Sequence, residues 1–347
     1  MKPPLLAMIA VAIGCLAAPP AAAWSTYKVT LAGNNVPPTD PFYRQSVSAL
    51  NAAQRSLVFL DGPGPGYSYS VCVQGACSML SPPIANAAFS VLALSNFGHV
   101  AGSVYAGGNY AFVGGAVIGY DRGTCLGCGL ALSSESKGVN SYGHVTGWAE
   151  FTTGGGKFAF KYTSGTGIVT LGSLGGDSEG RAINEWGHVA GNYEAPGPTT
   201  RAFRHDPPGS MVDLGTLGAS TWAYAINDSN WVVGCSVNSS FGVLQAYRHN
   251  GQNILGLPAL STTGPSCALD INNSNVAVGY STTGGGQRAT IFKGSNIKNL
   301  NLLMDPADPN SASWLLTTAT GINDSGAIVG NGKYLGVDRA FVLTPLP

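Results

Sequence analysis

The sequence predicts an all-β protein, a seven-bladed β-propeller of four-stranded blades. A degenerate block of about 44 residues recurs seven times between Ser46 and Pro347, and a repeat of this length is the size of one propeller blade. Each block divides into four short strands, which we name a to d in chain order. Residues 24–347 are therefore predicted to form a single domain. A β-solenoid is the second interpretation, because solenoid coils are usually shorter.

An anchor position begins the turn between strands a and b of every block. It is Asn in six copies and Ser in one: Asn51, Ser95, Asn140, Asn184, Asn227, Asn272 and Asn323. Three residues later stand Gln54, Gly98, Gly143, Gly187, Asn230, Asn275 and Gly326. Gly and Asn adopt left-handed backbone at the lowest cost, as a tight hairpin requires. We expect the anchor side chain to cap this turn, which gives the pattern a structural rather than a catalytic role.

The two ends of the chain predict that the ring of blades is closed. The last block stops after its strand c, at residues 340–343, and lacks a strand d. Residues 27–31 form a spare strand before the first block. Seven a–b–c units and seven d strands match if the first strand completes the last blade. Such closure removes the exposed sheet edges that an open array would leave.

Residues 1–23 have the composition of a secretory signal peptide. Lys2 supplies the positive charge, residues 5–16 form an apolar run, and three alanines at residues 21–23 suit a signal peptidase. The protein is therefore predicted to be secreted or periplasmic after cleavage near Ala23. Lipid attachment at Cys15 is the alternative, but Ala12 stands where such a signal usually has Leu. No later stretch is long and apolar enough to span a bilayer.

Charge and composition exclude two classes of partner. The chain carries 17 Lys and Arg against 17 Asp and Glu, with no basic stripe, which argues against a nucleic-acid partner. The same balance argues against electrostatic binding to a membrane. Only 10% of the residues are charged and 49 are Gly, as is typical of exported all-β proteins. We expect a monomer whose partner is a glycan or a surface protein.

The cysteines predict disulfide bonds. Six follow the predicted signal, and an even number in an exported chain is typical of disulfides. Their places in the repeats favour the pairs Cys72–Cys77, Cys125–Cys128 and Cys235–Cys267. A redox or metal-binding role is the alternative for Cys125 and Cys128. Neither a thioredoxin-like setting nor a second Cys-x-x-Cys accompanies them, so a disulfide within a loop is predicted.

Several motifs carry a resemblance to a known family. Blocks of the form Ile-Asn-x-x-Gly-x-Val-x-Gly, as at residues 183–191, occur together with Leu-Gly-Thr-Leu-Gly at residues 214–218 and a last repeat that begins near Trp314. On these residues the chain resembles the extracellular HAF-repeat family over nearly its whole mature length. It departs from the family's name, because the His before Ala-Phe is replaced here by Tyr110, Phe158, Arg201 or Arg339. The resemblance implies an exported repeat protein and brings no catalytic residues.

Three histidines stand four residues after the anchor in consecutive blocks: His99, His144 and His188. Because the a–b turns surround the propeller axis, their rings could approach one point, and a three-histidine site with an open position suits zinc or copper. The other blocks have Arg, Trp, Val or Ala at this position, as is typical of a tolerant, solvent-facing turn. No cofactor is therefore expected, with zinc or copper as the alternative. His205 and His249 share a position in strand c, but no carboxylate or Ser nucleophile repeats beside them.

Aromatic residues gather on the opposite face of the predicted propeller. They lie at the ends of strands b or in the d–a connections: Trp148, Tyr193, Trp222, Tyr280 and Trp314. Both sets of loops share one face, so these rings predict a stacking platform for sugars or peptides. Packing of the rings between blades is the alternative. The favoured hypothesis is a non-enzymatic exported scaffold that binds a carbohydrate or a protein through this face.

The rival hypothesis is a propeller enzyme, either a polysaccharide lyase or a glycoside hydrolase. Its catalytic residues would be Glu150, Glu194 and His188, with Asp177 and Glu179 close in the pattern. An enzyme is expected to carry a cluster of ionisable residues that breaks the repeat. The breaks in this chain are mostly aromatic residues, Cys or Pro, so the sequence favours binding over catalysis.

Overall fold

The computed structural model describes residues 24–32, 44–51, 54–61, 68–73, 76–81, 87–105, 108–114, 116–117, 131–152, 154–197 and 199–347. These ranges contain no α-helix and two short 3₁₀ helices, Leu300–Leu302 and Ser311–Ser313. Seven antiparallel sheets of four strands form the blades of a β-propeller, which confirms the predicted fold class. Among the described residues, no helix has the length and hydropathy needed to cross a bilayer.

The first three complete blades follow one another along the chain, each in the order a, b, c, d from one edge of the sheet to the other. Blade 1 consists of β2 (Arg44–Leu50), β3 (Arg55–Asp61), β4 (Ser68–Val73) and β5 (Ala76–Met79). Blade 2 consists of β6 (Ala88–Leu94), β7 (Val100–Tyr105), β8 (Asn109–Val113) and β9 (Ala116–Val117). Blade 3 consists of β10 (Ser133–Val139), β11 (Val145–Glu150), β12 (Phe158–Thr163) and β13 (Gly167–Gly172).

The next three blades repeat the same order. Blade 4 consists of β14 (Ser178–Ile183), β15 (Val189–Ala195), β16 (Thr199–His205) and β17 (Met211–Asp213). Blade 5 consists of β18 (Gly218–Ile226), β19 (Val232–Asn238), β20 (Val243–His249) and β21 (Ile254–Gly256). Blade 6 consists of β22 (Ser266–Ile271), β23 (Val276–Thr283), β24 (Gly286–Lys293) and β25 (Asn296–Asn299).

Blade 7 joins the two ends of the described chain. It consists of β26 (Trp314–Ile322), β27 (Ile328–Tyr334), β28 (Val337–Pro345) and, as its strand d, β1 (Tyr27–Leu31). β1 pairs antiparallel with β28, with Val29 opposite Leu343. Tyr27 and Val29 are 3% and 2% exposed and belong to the hydrophobic core of this blade. The first strand therefore closes the ring, as the sequence predicts.

The a–b turns have the predicted backbone. All seven residues three positions after an anchor have a positive φ, from 55° at Gln54 to 89° at Gly98. In each turn the anchor side chain accepts a bond from the backbone N–H four residues later, as Asn184 Oδ1 does from His188 N at 2.9 Å. This bond satisfies a donor that the tight turn leaves without a ladder partner. The anchors thus have the structural role that their spacing indicates.

The anchor side chains also join neighbouring blades. The Asn140 Nδ2 donates to the carbonyl oxygen of Asn184 at 3.0 Å, and Asn184 Nδ2 donates to that of Asn227 at 3.0 Å. The same link follows from Asn51 to Ser95, from Asn227 to Asn272, from Asn272 to Asn323 and from Asn323 back to Asn51. Six of the seven blade junctions therefore carry an amide–carbonyl bond around the axis. At the seventh stands Ser95, whose hydroxyl accepts from His99 N within its own turn.

A glycine in strand b makes room for the aromatic ring of strand c. Gly191 lies opposite Phe203, which is fully buried. A Cβ added at Gly191 would lie 2.1 Å from the Glu179 carbonyl oxygen and 2.6 Å from Phe203 Cζ. The same pairing joins Gly102 to Phe112, Gly147 to Phe160, Gly234 to Tyr247 and Gly330 to Phe341. Close packing of this kind leaves no space for a side chain, which explains the last Gly of the repeated motif.

Two of the three predicted disulfides lie among the described residues. Cys72 is bonded to Cys77 within blade 1, and Cys235 is bonded to Cys267 between blades 5 and 6. Both pairings match those expected from the repeat. Cys125 and Cys128 lie outside the described residues, as do residues 1–23 with the predicted signal peptide and Cys15.

Candidate functional site

A cleft lies where strands b of blades 3 and 4 end, on the face that carries the b–c and d–a connections. Its volume is about 260 Å³. Blades 3, 4 and 5 all contribute to its lining: Trp148, Lys157, Asp177, Ser178, Glu179, Asn192, Tyr193, Glu194, Thr200 and Trp222. Three of the five aromatic residues predicted to bind a ligand therefore lie in one cavity.

Trp148 is held in place by its neighbours on β10 and in the next loop. Its indole Nε1 donates to Glu135 Oε2 at 3.0 Å, and the same carboxylate is 2.8 Å from Lys137 Nζ. The Lys157 ammonium lies 4.3 Å from the centroid of the indole ring, within the range of a cation–π contact. The ring is half-buried, so it remains partly accessible from the cleft.

Tyr193 is fixed in the wall of the cleft. It is 6% exposed, and its hydroxyl donates to a carboxylate oxygen of Asp213. Arg201 Nη1 lies 3.9 Å from the same oxygen. Burial, followed by the bond to Asp213, raises the pKa of Tyr193 to about 12. The phenol therefore stays protonated at neutral pH and serves as a rigid, neutral wall.

Three carboxylates line the same cleft. Asp177 Oδ1 accepts from the backbone N–H of Lys157 at 2.9 Å, which ties the d–a connection to the preceding b–c loop. Glu179 Oε1 is 3.2 Å from Arg181 Nη1. Glu194 is exposed, at the end of β15. The cleft thus presents hydrogen-bond acceptors beside aromatic rings, which suits a polyhydroxylated ligand.

A second cavity continues from the cleft. It has a volume of about 460 Å³ and shares Glu194 and Thr200 with the first. Gly175 and Gly176 line it as well, together with residues 195–197 and Thr199. A ligand held in the cleft therefore has room to extend past Glu194.

Two of the predicted aromatic residues lie elsewhere. Trp314 is 7% exposed and packs against Tyr334 and Phe341, with ring centroids 5.1 and 6.2 Å away. Tyr280 is half-buried between blades 5 and 6, opposite Cys267, and burial raises its pKa. Neither lines the cleft. For these two rings, packing within and between blades is what the structure shows.

Of the three residues predicted for an enzyme, His188 lies far from Glu194. Glu194 lines the cleft, and Glu150 is the last residue of β11, where its Oε1 accepts from Gly154 N in the following loop at 3.1 Å. His188 precedes β15 whereas Glu194 is near its other end. Six residues of strand separate them by roughly 20 Å at about 3.3 Å per residue. His188 and Glu194 therefore do not share a site.

The three repeated histidines have separate partners. His99 Nδ1 is 3.3 Å from Ser95 Oγ, His144 Nδ1 is 3.4 Å from Asn140 Nδ2, and His188 Nδ1 contacts Asn230 Oδ1. Burial, followed by the charge of Lys161, lowers the pKa of His144. Within the ranges that the structure covers, no three His, Cys, Asp or Glu side chains lie close enough together to hold a metal ion.

The two histidines at the ends of strands c differ in their surroundings, since His205 Nδ1 is buried without a hydrogen-bond partner in the part of the chain that the structure describes. Burial, followed by the charge of Lys161, lowers the pKa of His205. His249 is 5% exposed and accepts from Gly251 N at 3.1 Å. Both belong to the ends of their strands rather than to a shared site.

The cleft is also lined by three residues that the repeat pattern does not predict: Lys157, Asn192 and Thr200. Asn192 Oδ1 accepts from Ala223 N at 2.8 Å, so it joins blades 4 and 5 at the cleft floor. Asn192 has an equivalent in blade 7, where Asn331 Oδ1 accepts from Val47 N at 2.9 Å in the same way, so Asn192 serves the blade junction as well as the cleft. The proximity of the three residues depends on how blades 3 to 5 pack, which repeat spacing alone does not specify.

Comparison with known proteins supports the fold. No family model matches the chain, and no curated protein matches it. Virginiamycin B lyase from Staphylococcus aureus matches with a TM-score of 0.51 and 10% identity, over 92% of this chain and 100% of that one. The β-propeller domain of the Trilobed protease from Pyrococcus furiosus matches at 0.52 and 12%, over 87% and 95%.

A puromycin-hydrolyzing peptidase from Mycobacterium tuberculosis matches with a TM-score of 0.52 and 11% identity, over 89% of this chain and 52% of that one. At such low identity these likenesses concern the fold alone. The chain is therefore similar to propeller domains of diverse proteins, and its function has to be inferred from its own site.

Proposed function

We propose that this protein is an exported, non-enzymatic sugar-binding propeller, which holds one sugar ring of a glycan in the cleft of blades 3 to 5. One observation carries the proposal. Trp148 of blade 3 and Trp222 of blade 5 line a single cleft on the two sides of blade 4, together with Tyr193 and three carboxylates. Aromatic faces pack against the apolar C–H faces of a sugar, while carboxylates accept its hydroxyl protons.

The size of the cleft supports a small ligand. A volume of about 260 Å³ falls just below the roughly 300–1,000 Å³ of pockets for drug-sized molecules. One sugar ring fits such a space, and the adjoining cavity beyond Glu194 takes the next part of the glycan. The cleft is therefore suited to a chain end or a branch.

The charged side chains that line the cleft indicate which class of sugar it binds. Asp177, Glu179 and Glu194 line the cleft, against one lysine, Lys157. An acidic sugar would meet like charges, whereas neutral and amino sugars would not. We therefore expect affinity to fall from hexosamines to neutral hexoses to uronates.

The proposal is tested by binding of the purified protein to oligosaccharides of these three classes. Trp222→Ala and Trp148→Ala should each weaken binding about two- to tenfold, because each removes a stacking contact worth roughly 0.5–1.5 kcal/mol. Tyr105→Ala is the matched control, since Tyr105 is 62% exposed at the end of β7 and lies outside the cleft. Uronate binding that persists in both Trp variants would contradict the proposal.

A glycan-cleaving enzyme is the second candidate, because Glu179 and Glu194 line the same cleft. Hydrolysis needs two carboxyl groups on either side of the scissile bond. Release of reducing ends from any oligosaccharide in the panel, lost in Glu194→Gln, would establish this candidate. Binding without product release would support the scaffold.

A further inference from the structure

Three large aromatic side chains project from the a–b turns of blades 2, 3 and 4. Each stands two residues after its anchor: Phe97, Tyr142 and Trp186. They are 78%, 71% and 72% exposed. We call these three residues the turn aromatics. Large apolar side chains at one repeat position of three consecutive blades, all left in water, form the kind of exposed patch that marks an interaction site.

Folding does not require aromatic rings at this position. In blades 5, 6 and 7 the equivalent residues are Ser229, Ser274 and Ser325, and all three are exposed. Their turns have the same positive φ and the same anchor bonds as those of blades 2 to 4. The turn aromatics are therefore replaceable without loss of the turn, and their rings add nothing to the core.

The turns that carry these rings are fixed to one another. Ser141, next to Tyr142, donates from N and Oγ to the carboxylate of Glu185, next to Trp186, at 3.0 and 2.8 Å. The anchor bond from Asn140 to Asn184 limits the Cα separation of these anchors to roughly 9 Å by covalent geometry. A Cβ added at Gly143 would lie 3.9 Å from the His99 ring, so the turns of blades 2 and 3 are also in contact. The three rings therefore stand on turns that contact one another in succession from blade 2 to blade 4, and we call this arrangement the row.

The ring of Tyr142 packs against a neighbouring histidine. The Tyr142 ring stacks on His144, with centroids 5.7 Å apart and an interplanar angle of 29°. Burial, followed by the charge of Lys161, lowers the pKa of His144, so the imidazole beneath Tyr142 is neutral at neutral pH. The other face of Tyr142 remains open to solvent.

Three cations lie near the row. The guanidinium of Arg55 is beside the turn that carries Phe97, where a Cβ added at Gly98 would lie 2.6 Å from Arg55 Nη1. Lys161 Nζ donates to the carbonyl oxygen of Gly187 at 3.3 Å. Arg204 donates to both carboxylate oxygens of Asp206 at 2.7 and 2.6 Å. Glu185 adds a negative charge beside Trp186, and Asp228, whose Oδ1 accepts from Glu185 N at 3.0 Å, adds another. The surroundings of the row therefore offer no net positive charge to an acidic polymer.

We infer that the turn aromatics form a second binding site, which takes an extended strand of a neutral polysaccharide. Each ring stacks on a sugar of the chain, and the regular step from blade to blade matches a ligand that itself repeats. A single sugar cannot touch all three rings, so the site differs from the cleft in the length of ligand that it needs. The two sites lie at opposite ends of β15, roughly 20 Å apart.

The experiment is retention of the full-length mature protein on insoluble cellulose, chitin and β-1,3-glucan, with pectate and alginate gels as acidic counterparts. Phe97→Ser, Tyr142→Ser and Trp186→Ser introduce the residue found in blades 5 to 7. Each should weaken retention on a neutral polysaccharide by roughly two- to tenfold, the value of one ring contact. The triple variant should no longer be retained.

Two controls distinguish stacking on the turn aromatics from a general effect of losing a surface ring. Phe241→Ser removes an aromatic ring that is 54% exposed in the b–c loop of blade 5, and should leave retention unchanged. Tyr142→Phe and Trp186→Phe each keep an aromatic ring, so these variants should keep most of the wild-type retention. Binding of short oligosaccharides in the cleft should survive in the triple variant, so the two sites are tested separately.

Three results would overturn the inference. They are retention of the folded triple variant at the wild-type level, retention of the wild type on the acidic gels alone, and no retention on any neutral polysaccharide. A fall in apparent mass of the triple variant on gel filtration would overturn it as well, because the row would then be a contact between copies of the protein.

Discussion

Asp270 places a carboxyl group at the junction of blades 6 and 7. Its Oδ1 accepts from Ile271 N at 2.9 Å and its Oδ2 from Ile322 N at 2.8 Å. Burial outweighs these two bonds and raises the pKa of Asp270 to about 7, from an ordinary value of 3.8. Between these two values the folded protein holds a proton that the unfolded chain has released. Stability therefore falls as the pH rises from about 4 towards 7.

We predict that Asp270→Asn changes the pH dependence of stability. At pH 5 the variant should be less stable than the wild type, because the amide loses one acceptor while Asp270 is still protonated. By pH 8 the wild type carries a costly buried charge, so the difference in unfolding free energy should shrink or reverse. Urea unfolding at pH 5, 6, 7 and 8 measures this difference in unfolding free energy. The histidines titrate in both proteins, so their contribution cancels in the comparison. A difference that stays constant across this range would contradict the prediction.

Single residues also show why the candidate site was predicted only in part. Trp148, Tyr193 and Trp222 were found because their repeat positions place them at one face. Trp314 occupies a similar position in sequence, but the last interval between anchors is longer by several residues. The added segment contains both 3₁₀ helices and lets β26 begin at Trp314, opposite Tyr334. Its ring is therefore buried within blade 7, which no spacing rule could indicate.

Among the elements, the a–b turn was predicted most completely. Its positive-φ residue, its capping side chain and its Gly or Asn preference follow from local chemistry that the sequence displays. The links between turns were not predicted, because the carbonyl that each Asn reaches belongs to the next blade. The bulge in every strand a was not predicted either; in blade 4 it lies between Gly180 and Ala182. Such features arise from packing between strands and blades rather than from local sequence.

The Ser95 junction allows a gain of stability to be predicted. Ser95→Asn keeps an acceptor for His99 N and adds an Nδ2 that reaches the Asn140 carbonyl, as in the other six junctions. One more buried hydrogen bond is worth about 0.5–1.5 kcal/mol, so the unfolding free energy should rise by that amount. Ser95→Ala is the matched variant, which removes the cap and should lower stability by about 1 kcal/mol. Urea denaturation of the wild type and the two variants measures these differences in unfolding free energy. Equal stability of the wild type and Ser95→Asn would contradict a stabilising bond to the Asn140 carbonyl.

At the scale of the whole molecule, the number of blades and the closing strand were predicted from the repeat and the chain ends. The structure confirms both, and it confirms the two disulfides that lie among the described residues. The candidate sites follow from the sequence less completely than the fold does. The cleft joins residues of three blades, and the spacing of the a–b turn indicates its structural role but not the exposure of the turn aromatics. Exposure, which a sequence does not display, distinguishes Trp186 from a ring that packs.

Closure of the ring by β1 is the claim on which both proposed sites depend, because each needs blades held in fixed positions. Tyr27 and Val29 are buried in blade 7, and each such side chain contributes about 1.5–3 kcal/mol. A natural domain has only about 5–15 kcal/mol of stability. Deletion of residues 24–32 should therefore lower the unfolding midpoint steeply, and a synthetic peptide of those residues should restore it when added to the truncated protein.

The most direct measurement is thermal unfolding of the truncated protein with and without this peptide, beside a peptide in which Tyr27 and Val29 are replaced by Ser. We predict a large fall in midpoint that the native peptide reverses in a concentration-dependent way and the Ser peptide does not. A truncated protein that unfolds at the wild-type temperature, unaffected by either peptide, would contradict a ring closed by its first strand.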